Sequence, residues 1–386
     1  MVNISNIVVI GAGIVGCSIA YNLAKKGAKG IVVLEKEDYI AKGSTGLSAS
    51  GIRAQFSSEI NIKLSLESMK ILEGFEQDTG INPEFKHIGY LFLISSQDKL
   101  AIFKKANELY RKFGMEVDLL SPEEVNKRYP HLYIDDLLTA SFHHRDGYVN
   151  PVSICTGYFK EAKRFGVNFQ FETEAIGFEV NKSKITAVNT TKGRIETPLV
   201  INASGPYAYI VGKMANLDIP ALPFRRLIAV TEPFPYIKDE IPLTVDTSTG
   251  LFFRKEGQSI LMYEADKNEP SSFNLRINWN FIEVVIEHAV KRVPLLKDAK
   301  IHRHKTWAGL YSITPDNHPI IGEMQQLPGF YNVVGFSGHG IMHSPAIGKC
   351  VAEMILNGKS KLVDISSLGI NRFEGGKKGI VEQAAI

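Results

Sequence analysis

The stretch from Ile7 to Glu35 restricts this chain more than any other. Ile7 to Ile10 is a short β-branched run, so it reads as a buried strand. Gly11, Gly13 and Gly16 then make a G-x-G-x-x-G turn, and Ala20, Leu23 and Ala24 lie on a helix that stops at Gly27. Ile31 to Leu34 is a second strand, ending on Glu35. Gly11 permits the tight turn, Gly13 lets a diphosphate approach the backbone, and Gly16 lets helix and strand pack closely. Free N–H groups at the helix start face the phosphates. Glu35 falls where a carboxylate accepts ribose hydroxyls. Strand, turn, helix, strand and acid in this order point to an adenine dinucleotide, against the bland reading of a glycine-rich turn. FAD and NAD are not separated by this stretch.

The chain has 386 residues, enough for about two domains. The formal charge is +3, with no cluster of Lys, Arg and aromatics, which argues against nucleic acid. Cys17, Cys155 and Cys350 lie far apart with no C-x-x-C, which implies a reducing compartment and no metal site. The uncharged run from Ile7 to Ala24 is neither a signal peptide nor a membrane span. No basic segment precedes it, three glycines interrupt it, and Asn22 sits within it. A soluble, cytoplasmic protein is expected.

Further along, Gly43-Ser44-Thr45-Gly46 offers backbone N–H groups and two hydroxyls: a second wall for a diphosphate, or a plain surface loop. Arg53 follows, able to meet a substrate carboxylate if the loop covers a flavin, and otherwise a solvated arginine. Glu59 to Gln77 has helical periodicity with Ile62, Leu66, Met69, Leu72 and Phe75 on one face, a core stripe. Phe85 to Ser95 reads as a strand with a structural His87 at its start, and Lys99 to Phe113 as an amphipathic helix. Ser121-Pro122-Glu123-Glu124 starts another helix, closed by Pro130. His143 and His144 lack the companions of a metal site. Ser153 to Arg164 is a helix, then short strands follow to Thr197, and Leu199 to Ala203 runs into Ser204-Gly205-Pro206. Residues 217–293 alternate strands with Pro and Gly turns and end in a helix, Asn280 to Arg292. Trp307 to Gly322 reads as a punctuated loop, Phe330 to Val334 as a strand, Gly335 to Gly340 as a turn, and Ile341 to Leu356 as a helix. The tail from Glu374 is expected to fray.

Four segments together carry a resemblance: GAGIVG with Glu35, GSTGLSASGIRAQF, VINASGP, and WAGLYSITPDNHPIIG leading to GFSGHGIMHSPAIG. In this order the chain resembles the FAD-dependent amine and amino-acid oxidoreductases of the D-amino-acid oxidase family. Its nearest likeness is to the β subunits of sarcosine oxidase and archaeal dye-linked L-proline dehydrogenase. The resemblance implies FAD rather than NAD, and an α/β (α+β overall) fold. A Rossmann-like FAD domain, residues 1–82, 143–215 and 307–386, would stand beside a mostly antiparallel substrate domain, 83–142 and 216–306. The coenzyme contacts it implies begin with Gly11, Gly13, Ile14, Val15, Gly16, Glu35 and Lys36. Ser44, Thr45, Ser50, Gly51 and Ile52 come next, then Ala175, Ala203, Ser204 and Gly205. Gly309 and the run Gly338, His339, Gly340, Ile341 and Met342 complete the set. The late helix tip would stabilise negative charge on a reduced flavin ring.

Departures from the family pattern carry information. Gly309 stands where monomeric sarcosine oxidases attach flavin through cysteine, so FAD is expected to be non-covalent. Met342 replaces a carboxylate-binding lysine, and SILMYEAD shows no match to an oxygen-activating lysine, which favours a dehydrogenase. Arg53 becomes the carboxylate binder, with Tyr263 or Tyr311 helping; His339 tunes proton equilibria or serves only through its backbone. The reaction implied is hydride transfer from the C–H beside nitrogen of a small amino acid (proline, sarcosine, glycine or a D-amino acid) to flavin N5. Electrons then pass to a dye, a quinone or a partner subunit. The alternatives are a hydroxy-acid or glycerol-phosphate dehydrogenase, and a β subunit inactive outside its complex.

Overall fold

Ile7–Ile10 and Ile31–Leu34 are buried along their whole length, as continuous β-branched runs must be when both faces of a parallel sheet are covered. In this computed structural model, which describes residues 3–237, 240–376, 379 and 381–384, they form the centre of a six-stranded sheet. The order is Ile320–Glu323, Phe330–Val334, Val200–Asn202, Ile7–Ile10, Ile31–Leu34, Asn168–Gln170. Every pairing is parallel except that of the first two strands. Segments far apart in sequence therefore deliver their carboxyl ends to one edge, where open parallel sheets bind ligands.

The first helix, Ile14–Lys25, is buried on nearly every side because two other helices pack against it, Pro151–Arg164 and Gly340–Asn357. Ser18 Oγ donates to Ser344 O at 2.8 Å, and a Cβ on Gly348 would lie 2.1 Å from that hydroxyl. Only glycine permits so close a crossing. Pro345 inside the late helix cannot donate to Ile341 O, and Ser344 Oγ takes over that carbonyl at 3.2 Å.

An eight-stranded sheet forms the second layer of structure. Its order is Trp307–Ile313, Leu222–Val230, Ser259–Glu264, Leu251–Glu256, Leu243–Asp246, Tyr90–Ile94, Thr139–His143, Asp118–Leu120. It is antiparallel except where Leu243–Asp246 meets Tyr90–Ile94. A four-stranded sheet (Asn3–Ile4, Gly193–Glu196, Lys184–Thr190, Ala175–Asn181) and the short pair Gly51–Ile52 with Gly147–Tyr148 complete the strands.

Several expectations are corrected. Trp307–Ile313 is a strand, not a loop; pairing along Leu222–Val230 outweighs its glycine and makes it an edge of the eight-stranded sheet. The strand expected over Phe85 to Ser95 is only Tyr90–Ile94; His87 before it bonds Arg145 O through Nδ1 at 2.6 Å. The helix expected from Glu59 to Gln77 breaks at Gly74 into Glu59–Glu73 and Phe75–Thr79, and Leu66 is half-buried. Its inner face is more than an apolar stripe, since Asn61, Ser65 and Ser68 are fully buried there with hydrogen-bond partners. The tail does not fray at Glu382, which is 1% exposed and bound on several sides. Residues 377, 378, 380, 385 and 386 of that tail lie outside the described residues. Ser121 and Glu124 form the reciprocal cap that the motif implies, and the helix Pro122–Arg128 ends before Pro130.

Candidate active site

The glycine turn is set by close approaches. Gly11 has φ 104°, and a Cβ there would lie 2.6 Å from Ala203 O. A Cβ on Gly16 would meet Gly11 O at 2.0 Å, whereas Gly13 faces only Thr45 Oγ1, at 3.3 Å. Thus Gly11 and Gly16 shape the turn and Gly13 presents an open backbone. The first helix has no side-chain cap from Gly13 and no acid in its first turn. Ile14 N donates to Thr45 Oγ1 at 3.1 Å, and the N–H groups of the first turn around Val15 remain for an anion.

Around this turn stand the other expected contacts. Glu35 accepts from Ala12 N at 2.8 Å and Glu37 N at 3.0 Å; burial raises its pKa while those N–H bonds oppose the rise. Lys36 Nζ lies 3.8 Å from the centre of the Tyr207 ring. Ser44 is spent on Leu310 O at 2.7 Å, so of the two hydroxyls only Thr45 keeps its proton to donate. Ser204 Oγ donates to Asn202 Oδ1 at 2.6 Å beside Ala203, and Gly205 has φ 55°. Ala175 lies in the cluster of Ile10 and Leu34, among the apolar residues beneath the sheet edge.

A cavity brings together all four expected catalytic residues, Arg53, Tyr263, Tyr311 and His339. Ser50, Gly51, Gly338, Ile341 and Met342 also line it. Gly309, Gly340 and Ile52 are not among its lining residues; Ile52 is fully buried, and a Cβ on Gly309 would meet Leu47 O at 3.1 Å. Tyr90, Phe252 and Ser48 line the cavity without having been singled out by sequence. Their strand or loop register decides which side they face, and no local motif reports it. The short pairing of Gly51–Ile52 with Gly147–Tyr148 aims the Arg53 side chain inward.

Arg53 is 1% exposed. Its guanidinium donates to Gln55 O and, at 2.8 Å, to Ala384 O, and it stacks on Phe56 with Cζ 3.9 Å from the ring centre. Nε has no partner, and no described carboxylate forms an ion pair with it. The Tyr263 and Tyr311 rings lie 6.1 Å apart, with the Arg226 guanidinium 5.2 Å from the Tyr311 ring. Burial, chiefly, pushes both phenol pKa values up, so both are neutral. His339 is buried edge-on against Phe56 at 4.9 Å, its Nδ1 without a partner. Burial first and then the Arg53 charge hold its pKa well below 6.5, so it too is neutral.

His339 is the N-cap of the late helix without capping it through its side chain, and the first turn carries no acid. Gly338, at φ 93°, keeps the approach clear. The fold therefore presents two open helix N-termini, a cradle of glycines and a cation-bearing cavity, features that fit a dinucleotide whose phosphates meet one helix and whose ring meets the other. Among the described residues no group of His, Cys, Asp and Glu could hold a metal, and no helix is long and apolar enough to cross a membrane.

Fold and site thus define a dinucleotide-dependent oxidoreductase whose second sheet supplies Tyr90, Phe252, Tyr263 and Tyr311 to the cavity wall. The chain belongs to the family of FAD dependent oxidoreductases (DAO), whose model matches residues 6–354, and its coenzyme is FAD. It is 30% identical over 384 residues to mitochondrial sarcosine dehydrogenase of Mus musculus, covering 96% of this chain but 41% of that protein. The chain thus spans about two fifths of that relative's length. It is also 30% identical to FAD-dependent oxidoreductase domain-containing protein 1 of Xenopus laevis, covering 96% and 82% of the two chains. Among solved structures, L-proline dehydrogenase from P. horikoshii superposes with a TM-score of 0.89 at 34% identity, over 98% of this chain and 100% of that one.

Proposed function

We propose that this chain oxidises the C–H bond beside the nitrogen of a small amino acid, such as proline, sarcosine or glycine. The carrying observation is Arg53: a buried cation in the cavity, stacked on Phe56, with Nε unpartnered and, among the described residues, no carboxylate paired to it. A buried charge left unpaired costs several kcal/mol, and a substrate carboxylate answers it. That favours an amino acid over a glycerol phosphate, whose larger charge calls for more cations than the cavity lining supplies.

FAD, when bound, supplies the hydride acceptor. Gly11–Gly16 and the first-turn N–H groups would hold its diphosphate, Glu35 its ribose, and the tip of the late helix its ring. No cysteine lines the cavity, which supports non-covalent attachment. Arg53 fixes the carboxylate and the neutral phenols of Tyr263 and Tyr311 complete its hydrogen bonds, orienting the C–H bond. Among the described residues no Asp or Glu lines the cavity, and His339, its pKa lowered by burial, is a weak base, so the substrate reacts as the free amine without a strong protein base.

Among the described residues no lysine lines the cavity, which supports a dehydrogenase that hands electrons to a dye, a quinone or a partner subunit rather than to oxygen. The two-part domain division, residues 1–82, 143–215 and 307–386 beside 83–142 and 216–306, stands as part of this proposal. Three unpaired, buried cysteines support a cytoplasmic location. Anaerobic mixing with L-proline, sarcosine, glycine and D-amino acids tests the reading: one of them bleaches the flavin, and Arg53→Met abolishes that bleaching. Bleaching by a hydroxy acid but by none of these amines overturns it. Release of FAD into the supernatant on acid precipitation tests the non-covalent attachment.

A further inference from the structure

The tail segment 382–384 closes on the same cavity wall. The Glu382 carboxylate is 1% exposed and accepts from Ser57 N at 2.7 Å, Ser57 Oγ at 2.5 Å, Ser58 N at 3.1 Å, Ser58 Oγ at 2.6 Å, and Asn61 Nδ2 at 3.1 Å. It also accepts from Ala384 N at 3.0 Å, which bends the tail back on itself. Glu382 N donates to Asp316 O at 3.1 Å, and Gln383 N to Ser57 Oγ at 2.8 Å. Those bonds aim Ala384 O at Arg53 Nη2, 2.8 Å away.

The sequence around this clip is short, polar and glycine-rich, a composition with no core-forming drive of its own. A buried carboxylate with six accepted bonds is a large desolvation cost met by a purpose-built nest. The nest sits at the start of the helix Glu59–Glu73, where Ser58 is the N-cap but makes no cap bond of its own. Glu382 sits at that helix start, accepting from Ser57 N and Ser58 N just before the helix and from Asn61 Nδ2 in its first turn, and the positive helix end favours its charge.

The physical consequence falls on Arg53. Two backbone carbonyls, Gln55 O and Ala384 O, hold its guanidinium while leaving its charge uncancelled. A carboxylate in the place of Ala384 O would neutralise the cation and compete with a substrate anion. A neutral carbonyl fixes orientation and keeps the charge for the ligand. We infer that Glu382 is a positioning residue: by pinning the tail so that Ala384 O grips Arg53, it presets that side chain for the carboxylate of the substrate. This rests on the reading of Arg53 proposed above.

The test uses purified holoprotein and two probes that cannot be oxidised beside nitrogen, pyrrole-2-carboxylate and its neutral carboxamide, titrated by their perturbation of the flavin spectrum. Glu382→Ala weakens the carboxylate by about tenfold or more, the scale of a hydrogen bond to a charged group, and leaves the carboxamide unchanged. In an Arg53→Met background Glu382→Ala has no further effect. Equal weakening of both probes, or no weakening of either, overturns the role. If Glu382→Ala yields no holoprotein, Glu382→Gln, whose amide NH2 group replaces the oxygen that accepts from Ser58 N, Ser58 Oγ and Asn61 Nδ2 and so breaks half of the clip, is judged by the same selectivity. Loss of carboxylate binding in Arg53→Met but not in either Glu382 variant sinks the positioning role alone. Unchanged binding in Arg53→Met sinks it together with the assignment of Arg53.

Discussion

A Cβ placed on Gly338 would lie 2.4 Å from Cε2 of Tyr311. The turn that opens the late helix is thus in contact with a ring that lines the cavity, and Gly338 also sits at φ 93°, where L side chains are strained. Gly338→Ala is expected to lose about 1–3 kcal/mol of stability and to bind FAD more weakly. The collision part can be separated from the backbone part. In a Tyr311→Ala background the same substitution should cost measurably less, read from urea midpoints. An identical cost in both backgrounds would mean that the ring contact plays no part.

Gly16 gives a sharper contrast, since a Cβ there would lie 2.0 Å from Gly11 O and backbone cannot yield as a side chain can. Gly43, in the neighbouring loop, has nothing within 4 Å of its Cβ position. Gly16→Ala is expected to purify without FAD and to regain none on incubation, because the turn must open. Gly43→Ala should carry FAD like the parent protein. Absorbance at the flavin bands of the two purified proteins decides it.

The parts of the site legible in sequence are those with a local steric signature. Gly11 and Gly16 announce a turn through their spacing, and the structure shows the carbonyls that demand them. Arg53 was legible from its place after a Gly/Ser loop, yet its counterpart at Ala384 was not. A polar, glycine-rich tail looks frayed until Ser57, Ser58 and Asn61 are seen to converge on Glu382. The same limit hid Tyr90 and Phe252, whose facing depends on register across the eight-stranded sheet. Trp307–Ile313 read as a loop because Gly309 interrupts its pattern, and only its pairing with Leu222–Val230 makes it a strand. Asn61, Ser65 and Ser68 break helical amphipathicity because their partners come from the far end of the chain.

Arg292 supports the second sheet from behind. It is 2% exposed and bonds Asp246 Oδ2 at 2.7 Å, Asp136 Oδ1 at 2.8 Å, Asp136 Oδ2 at 3.0 Å and Tyr133 O at 2.5 Å. It ties the helix Trp279–Arg292 to the strand Leu243–Asp246 and the loop before Thr139–His143. Arg292→Met leaves Asp246 buried with its cation gone, and is expected to cost about 3–5 kcal/mol in chemical denaturation. Arg164, which pairs with Glu161 at 65% exposure of its own side chain, is the control, and Arg164→Met should leave the denaturation midpoint close to that of the parent protein.

The two histidines of the late helix set the acid side of stability. His343 is fully buried with Nε2 3.1 Å from Ser65 Oγ, and burial, then Arg53 and His318, lower its pKa to about 3. His339 is lowered in the same direction by the same leading causes. Both stay neutral in the folded chain while the unfolded chain takes up protons below about pH 6.5. Stability attributed to them is therefore complete above that pH and declines as pH falls, each histidine contributing about 1.4 kcal/mol per pH unit. Glu382, Asp316 and Glu353, whose pKa values are lowered, add their own losses as pH falls through the carboxylate range, and Glu35, raised by burial, acts there in the opposite sense; both proteins carry all four groups, so the difference between them isolates His343. His343→Gln removes one of the two protons and should reduce the slope of unfolding free energy against pH between about pH 6.5 and about pH 4.5 by about 1.4 kcal/mol per unit. Denaturant titrations at pH 7.5, 6.0 and 5.0 on both proteins measure it, and parallel slopes would show that the unfolded chain gains no proton there that the native chain refuses.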